Sequence, residues 1–383
     1  MELLFDDECM QKLLPAIESC AKAITEWIAE GRLLCVRFND DCDGVASALQ
    51  IYSSARAYAL ELRLPLENVV GFQVPSAVYS KKDAFDDAVR ARDARKNLAV
   101  VITDMAANEE SVEAIKALKD AGAKVCIIDH HPPCRDALDL CDAYATSHPF
   151  DNSGAHTAGL LAYEIGRRIC ADAARKEWVY WSLQSDKSTL AAGDFPQARA
   201  LDYLAHFSEP NAGIEDYLEK VSDERTLRLA ADLAVKGEEK ALKLARDHAR
   251  IRQTGESAAI ILVDLSKARS KAAYPPKGRC LNLMQDYYCA GHPDAAVVSL
   301  GYADDSVSIR ANALALKRGF DSNRMIEKLK AELSSAIRSG GGHAAASNIR
   351  FEPGFEGAVM EKLEELTRQA LCGQKAEDAI RPA

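Results

Sequence analysis

The chain has 383 residues, 48% of them apolar, enough for two domains of ordinary size with their own cores. Its formal net charge of −10 excludes a broadly basic surface of the kind that coats a long nucleic acid. The eleven cysteines form no C-x-x-C pair and are odd in number, so positions such as Cys35, Cys170 and Cys372 read as small buried hydrophobes. Met1-Glu2-Leu3-Leu4-Phe5-Asp6-Asp7 lacks a basic start and a long apolar run. No stretch approaches the roughly 20 apolar residues of a membrane span. A reduced, cytoplasmic protein is expected.

In chain order, residues 8–31 form an amphipathic helix, with Leu13, Leu14, Ile17, Ala21, Ile24 and Ile28 at helical spacing. Residues 33–38 are an apolar run that reads as a buried strand, and Gly44 opens the helix after it. Residues 68–74 are a second strand, and residues 81–95 a charged surface helix. Residues 97–103 are a third strand ending at Asp104, residues 109–121 are helical, and residues 124–128 are a fourth strand ending at Asp129. Strands and helices alternating at this spacing predict βαβ units and a mostly parallel sheet flanked by helices.

A short strand at residues 143–146 and the polar turn Asp151-Asn152-Ser153-Gly154 come next. Helices follow at residues 156–171 and from Glu177 into Gln184-Ser185-Asp186-Lys187-Ser188. Residues 196–253 are helical and charge-rich with no strand candidate, and their alternating signs fit a solvated connector better than a nucleic-acid track. A smaller α/β unit then has strands at residues 257–263, 295–300, 306–310 and 348–351, and helices at residues 322–333 and 355–371. A polar tail ends the chain. The expected domains are 1–195, 196–255 and 256–383.

Acidic and imidazole side chains gather where the strands of the larger unit end. Asn39-Asp40-Asp41-Cys42-Asp43-Gly44 follows the first strand, Asp104 closes the third, and Asp129-His130-His131-Pro132-Pro133 follows the fourth. In an open α/β sheet, ligand sites form at this carboxyl edge. Asp41 and Asp43, one residue apart, share a face in an extended chain and can reach one metal pair. Each feature also has a plain reading, because D-x-D-G and an Asp after a strand are both common as helix caps. Two histidines behind an aspartate at the end of an apolar strand are hard to explain by packing. Carboxylates and imidazoles meeting at one edge repel or titrate abnormally unless cations are present. A pair of divalent ions is the simplest resolution. Hard oxygen ligands suit Mg2+ or Mn2+, and the imidazole favours Mn2+.

This set resembles the DHH phosphoesterase superfamily, whose first motif is H-x-D-x-D-G and whose third is the D-H-H itself. The run Gly340-Gly341-Gly342-His343 resembles the G-G-G-H of the associated DHHA1 domain. The resemblance spans about residues 33–352, and among subfamilies the layout is most similar to archaeal RecJ-like nucleases and the nanoRNase (oligoribonuclease) group. It implies a DHH catalytic domain with an N-terminal helix, a helical connector and a DHHA1 substrate-binding domain. It also implies that Asp41 and Asp104 bind one metal. Asn39 stands where the family has its first histidine, as a neutral and poorer ligand. Asp43, Asp104, His130 and Asp186 would bind the second metal, with Asp104 bridging. Asp186 stands at the place of the family's fourth motif, and Asp194 is the alternative. Asp129 would orient His130, and His131 would face the scissile phosphate as an electrostatic clamp or proton donor. Gly340, Gly341, Gly342, His343 and Arg310 would hold the substrate's terminal phosphate.

The function implied is a manganese-dependent phosphodiesterase or exonuclease. It would hydrolyse single-stranded RNA or DNA, or short oligonucleotides, to nucleoside monophosphates by two-metal catalysis. Hydrolysis of a linear or cyclic dinucleotide is a second enzymatic reading. A third is a catalytically weakened RecJ-like interaction module in a replication or repair complex, and Asn39 is its support. The partners expected are single-stranded nucleic acid, with a second copy of the chain or a replication or repair protein beside it, and no membrane.

Overall fold

The computed structural model describes residues 2–76, 78–105, 107–151, 153–255, 257–268, 273–303 and 305–372. Asn152 of the polar turn and the tail from residue 373 lie outside them. The chain divides into two units, Met1–Leu233 and Ala234–Ala383.

In the first unit, Asp7 caps helix α1 (Glu8–Ala29) by accepting a hydrogen bond from the Met10 N–H at 2.9 Å. Then follow β1 (Leu33–Asn39), α2 (Cys42–Glu61), β2 (Val69–Val74), α3 (Lys81–Asp93), β3 (Leu98–Thr103), α4 (Val112–Asp120), β4 (Lys124–Asp129), α5 (Arg135–Asp139) and β5 (Ala143–Thr146). Helices α6 (Ala158–Ile169), α7 (Lys176–Ser185), α8 (Pro196–His206) and α9 (Ile214–Ser222) complete the unit, and α10 (Glu224–Asp247) begins in it.

The five strands form one parallel sheet in the order β2-β1-β3-β4-β5. Every residue of β1 and of β3 is buried, which in a parallel sheet means helices on both faces. Leu34, Val36 and Phe38 point into the core formed with α1, α2, α6 and α7, whereas Cys35, Val100 and Ile102 pack against the α3 and α4 side. Each such aliphatic or aromatic side chain contributes about 1.5–3 kcal/mol of burial free energy. The chain leaves β1 towards β2 and then crosses to β3 on the other side. The gap between the carboxyl ends of β1 and β3 is therefore a topological switch point, where open α/β sheets bind ligands.

The second unit has a six-stranded mixed sheet in the order β10-β11-β9-β8-β7-β6. Its strands are β6 (Ala249–Gln253), β7 (Ala258–Asp264), β8 (Ala296–Ala303), β9 (Ser306–Ala311), β10 (Ile337–His343) and β11 (Ala346–Phe351). Only β7 and β8 run parallel. The helices of this unit are α11 (Leu265–Ala268), α12 (Lys277–Gly291), α13 (Ala313–Lys317), α14 (Ser322–Glu332) and α15 (Glu356–Cys372). One core lies beneath α14 and α15, and another beneath α12 and the end of α10.

Three sequence expectations change. Residues 196–253 are not strand-free, because Ala249–Gln253 is β6, an edge strand paired with β7. Its alternating arginines are exposed, which hides the strand from a reading based on apolar runs. The glycine triplet, which falls in none of the expected strands, lies within β10, paired antiparallel with β11. Of the cysteines read as buried, Cys35 is buried, Cys170 is only half-buried at the C-cap of α6, and Cys372 is exposed.

Candidate metal centre

Three adjacent strands, β1, β3 and β4, deliver their carboxyl ends to one place. β1 ends at Asn39, and Asp41 is the N-cap of α2, its Oδ1 accepting from the Gly44 N–H at 2.9 Å. Asp41 and Asp43 therefore do not share the face of an extended chain, as their spacing suggests. The chain turns into a helix between them, and Asp43 belongs to its first turn. Gly44 permits that turn, since a Cβ there would stand 2.5 Å from the Asn39 carbonyl oxygen.

Asp43 is 1% exposed and held by three donors. Its Oδ2 accepts from the Ala158 N–H at 2.9 Å, and its Oδ1 from the Gly159 N–H at 2.7 Å and the Ser182 hydroxyl at 2.6 Å. The first two are orphan donors at the start of α6, where a carboxylate also meets the positive end of the helix dipole. Thr157, the N-cap of α6, hydrogen-bonds Ser182 in turn. At Gly159 a Cβ would lie 2.5 Å from Ser182 Oγ and 2.9 Å from Asp43 Oδ1, so only glycine fits.

Asp104 follows β3 in the left-handed region, with φ of 59°, a conformation that costs a non-glycine residue about 1 kcal/mol or more. Its N–H donates to the Ile128 carbonyl at 2.8 Å, which ties it to β4 instead of to a following helix. The helix-cap reading of Asp104 therefore does not hold; Asn108 caps the short turn that follows. The Asp104 side chain is 1% exposed. Its Oδ2 accepts from Asn39 Nδ2 at 3.3 Å, and its Oδ1 accepts no hydrogen bond among the described residues.

At the end of β4, Asp129 Oδ1 accepts from the His130 and His131 N–H groups at 2.8 and 3.1 Å and sits 2.8 Å from His131 Nδ1. Its ring contact is thus with His131. His130 Nε2 stands 3.3 Å from Asp104 Oδ1, 3.3 Å from Asp186 Oδ2 and 3.7 Å from Asp43 Oδ2. Ligand atoms of Asp43, His130 and Asp186 lie within 4.8 Å of one another, and so do those of Asp104, Asp129 and His131. Asp186 is the C-cap of α7, which brings its carboxylate to His130. The alternative, Asp194, accepts from Gln184 Nε2 at 3.1 Å. Asn39 sends its Nδ2 to Asp41 Oδ2 at 3.0 Å as well as to Asp104, so it donates to the carboxylates beside which it is expected to stand as a ligand.

The electrostatics follow from this crowding. Burial, then Asp41 and Asp43, push the Asp104 carboxyl well above the usual carboxylate range. Burial and the same two neighbours do so for Asp186. Burial and Asp43 raise Asp41 against the Gly44 N–H. Burial and the neighbouring His131 push His130 down to about 4, favouring the neutral imidazole that a metal requires. Asp129 and His131 form the opposite case. Burial disfavours both charges, but their mutual contact outweighs it, lowering Asp129 and raising His131. The donor set of carboxylates and one neutral imidazole around an unsatisfied buried oxygen fits hard divalent ions.

Two residues beyond the sequence reading belong here. Ser182 fixes Asp43, and Asp202 of α8 accepts from the Cys42 N–H at 2.8 Å, anchoring the first turn of α2. Thr157 ahead of an apolar run is a legible cap. Ser182 and Asp202 lie 139 and 160 positions from their partners and carry no local signal.

In the second unit, Arg310 of β9 pairs in register with Ala346 of β11, which pairs with His343 of β10. The half-buried guanidinium donates to the Ile309 carbonyl at 2.8 Å, and burial lowers it to about 10 with no carboxylate contributing. Gly342 has φ of 145°, and a Cβ there would stand 2.3 Å from the Ala346 carbonyl oxygen. Its carbonyl and that of His343 accept from Asn323 and Ser322 at 2.9 and 2.8 Å, which pins the G-G-G-H strand to α14.

Residues 33–183, from β1 to α7, match the model of the DHH family, N-terminal domain. The first unit carries a DHH-family domain. A curated relative, the uncharacterized protein MJ1198 of Methanocaldococcus jannaschii, is 22% identical over 420 residues, covering 95% of this chain and 55% of that protein. The chain thus spans about half the length of the curated relative it matches. Among solved structures, the DHH domain of a member of the s1p family of ribosomal proteins is 22% identical. It covers 96% of this chain and 94% of that one, with a TM-score of 0.86. RecJ in complex with Mn2+ from Thermus thermophilus is 14% identical, covering 93% of this chain and 55% of that one, with a TM-score of 0.57. At these identities the two structures establish a shared fold. No described helix of this chain is long and apolar enough to cross a membrane.

Proposed function

We propose that this DHH chain is a metal-dependent phosphodiesterase acting on single-stranded nucleic acid or short oligonucleotides, with Mn2+ as its preferred ion. The observation that carries this reading is the unsatisfied, buried Asp104 Oδ1 among Asp43, His130 and Asp186. A buried carboxylate oxygen without a donor costs free energy that a cation removes. The RecJ structure with Mn2+ shares this fold and supports the choice of ion.

Asp41 and Asp104 would hold one ion, and Asp43, Asp104, His130 and Asp186 the other, with Asp104 shared. A pair of divalent ions in such a site supplies Lewis-acid charge and an activated water for in-line displacement at phosphorus. The protein's part is positioning. The start of α6 and Ser182 fix Asp43 before any ion arrives, and Asp129 fixes the backbone of both histidines and the ring of His131. His131, whose contact with Asp129 favours its charged form against burial and which is partly open to solvent, would clamp a non-bridging phosphate oxygen or protonate the leaving oxygen. In the second unit, Arg310 and the Gly340–His343 strand would bind the terminal phosphate, since a half-buried guanidinium without a carboxylate is suited to an anion.

The weakened-module reading draws on one observation, the donation of Asn39 Nδ2 to both Asp41 and Asp104. A neutral donor there relieves repulsion that an ion would otherwise relieve. The test is hydrolysis of 5′-labelled RNA and DNA, from dinucleotides upward, and of a cyclic dinucleotide, with Mn2+ and with Mg2+. Nucleoside monophosphates appearing with Mn2+ in the wild type but not in Asp104→Ala support the nuclease. Intact substrate throughout, with Mn2+ bound, sinks it in favour of the module.

A further inference from the structure

A second cluster of metal-ligating atoms, sharing no residue with the candidate centre, lies where α1 begins and the chain approaches α6. His156 Nε2, an Asp7 carboxylate oxygen and Cys9 Sγ lie within 4.8 Å of one another. His156 is 6% exposed and Cys9 8%, whereas the Asp7 side chain is 37% exposed and opens the cluster to solvent.

The imidazole is held as a metal-binding histidine is held. Its Nδ1 lies 2.7 Å from Asp151 Oδ2, and its Nε2 lies 2.8 Å from Asp7 Oδ2. A carboxylate on the far nitrogen fixes the ring and raises its basicity as a ligand. Asp151 is itself anchored by the Ser153 and Ala155 N–H groups at 2.9 and 3.1 Å. Asp7 is anchored through its other oxygen, which caps α1 at the Met10 N–H. Both carboxylates are thus placed independently of the histidine they face.

We propose that Asp7, Cys9 and His156 form a zinc site, with Asp151 orienting His156 and water completing the coordination. One thiolate, one imidazole and one carboxylate suit zinc better than magnesium or manganese, which avoid sulfur. Neighbouring donors of a tetrahedral zinc stand about 3.3 Å apart, so the His156–Asp7 contact need open by only about half an ångström. The ion takes the place of two protons. Bonds form to Sγ, Nε2 and Oδ2, the thiol proton and the Nε2 proton leave to solvent, and nothing is oxidised or reduced. The site would tie the start of α1 to the segment just before Ala158 and Gly159, whose N–H groups hold Asp43.

The test is cobalt substitution in the full chain. Thiolate-to-cobalt charge-transfer absorption should saturate at one equivalent, disappear when zinc is added, and be absent in Cys9→Ser and His156→Gln. It should persist in Asp104→Ala, which separates this site from the candidate centre. Zinc should also slow alkylation of Cys9 in the wild type at least tenfold relative to the other thiols, a readout that needs no variant. No charge-transfer band in the wild type together with unchanged Cys9 alkylation would overturn the proposal. So would a band that survives His156→Gln in a folded chain.

Discussion

His130 Nε2 stands 3.3 Å from Asp104 Oδ1, and that oxygen accepts no hydrogen bond among the described residues. Both side chains are nearly inaccessible, and Asp104 adopts a left-handed backbone to be there. Such an arrangement gathers like-charge repulsion among Asp104, Asp41, Asp43 and Asp186 that a cation would relieve.

Asp104→Asn should therefore raise the melting temperature measured in chelator by a few degrees, equivalent to about 1–2 kcal/mol. The same substitution should remove the stabilisation conferred by Mn2+. In the wild type that stabilisation should reach about 2.7 kcal/mol at a hundredfold excess over the dissociation constant. Differential scanning calorimetry with and without Mn2+ reads both effects, and a lowered melting temperature for Asp104→Asn in chelator would contradict them.

Asn39→His should replace a neutral donor by an imidazole ligand. Beside Asp41 and Asp104 it should tighten Mn2+ binding by about tenfold. Isothermal titration of Mn2+ into both proteins checks this. Equal affinities would show that position 39 does not touch the ion.

Gly159→Ala should weaken metal-dependent activity by about a hundredfold while leaving most of the fold intact. The added Cβ would collide with Ser182 Oγ and Asp43 Oδ1 and displace the carboxylate from its three donors. Ser182→Ala removes one of those donors without a clash and should cost less activity, with a loss of about 1.5–3 kcal/mol of stability. The comparison distinguishes displacement of Asp43 from loss of a hydrogen bond.

The contacts of His156 predict a pH dependence of stability. Burial disfavours the charged imidazole, but Cys9, Asp151 and Asp7 outweigh it and lift the ring from 6.5 to about 10. Its contribution is therefore complete below about 6.5 and fades as pH rises towards 10. Against burial, Ser153 and His156 hold Asp151 down from 3.8 to about 2, so its share is present above about 3.8 and lost as pH falls towards 2. In zinc-free buffer, the stability difference between the wild type and His156→Gln should peak between about pH 4 and 6.5, near 2 kcal/mol. It should shrink steadily above that range. A difference that grows with alkaline pH would reverse the sign and refute the ion triad.

The parts of this arrangement legible in the sequence are those written in local runs. β1, β3 and β4 are apolar stretches that run on into acidic or imidazole residues, which places Asp41, Asp104, Asp129 and His130 at one edge. Strand order is not legible, and with it the position of the site at the β1/β3 switch point, because pairing is a non-local choice. Asp43 shows the limit more sharply. Its spacing from Asp41 suggests an extended pair, but the Asp41 cap starts α2 early and turns Asp43 towards α6, more than a hundred residues on. Strand β6 escapes a sequence reading because its exposed arginines interrupt any apolar pattern.

The most direct test of the central claim is Mn2+ binding to the full chain followed by electron paramagnetic resonance, with Asp104→Ala as the comparison. A phosphodiesterase centre built on Asp104 predicts a spin-coupled pair of Mn2+ ions in the wild type, reduced to at most one uncoupled ion in the variant. Absence of saturable Mn2+ binding, or a coupled pair unaffected by loss of Asp104, would contradict the account.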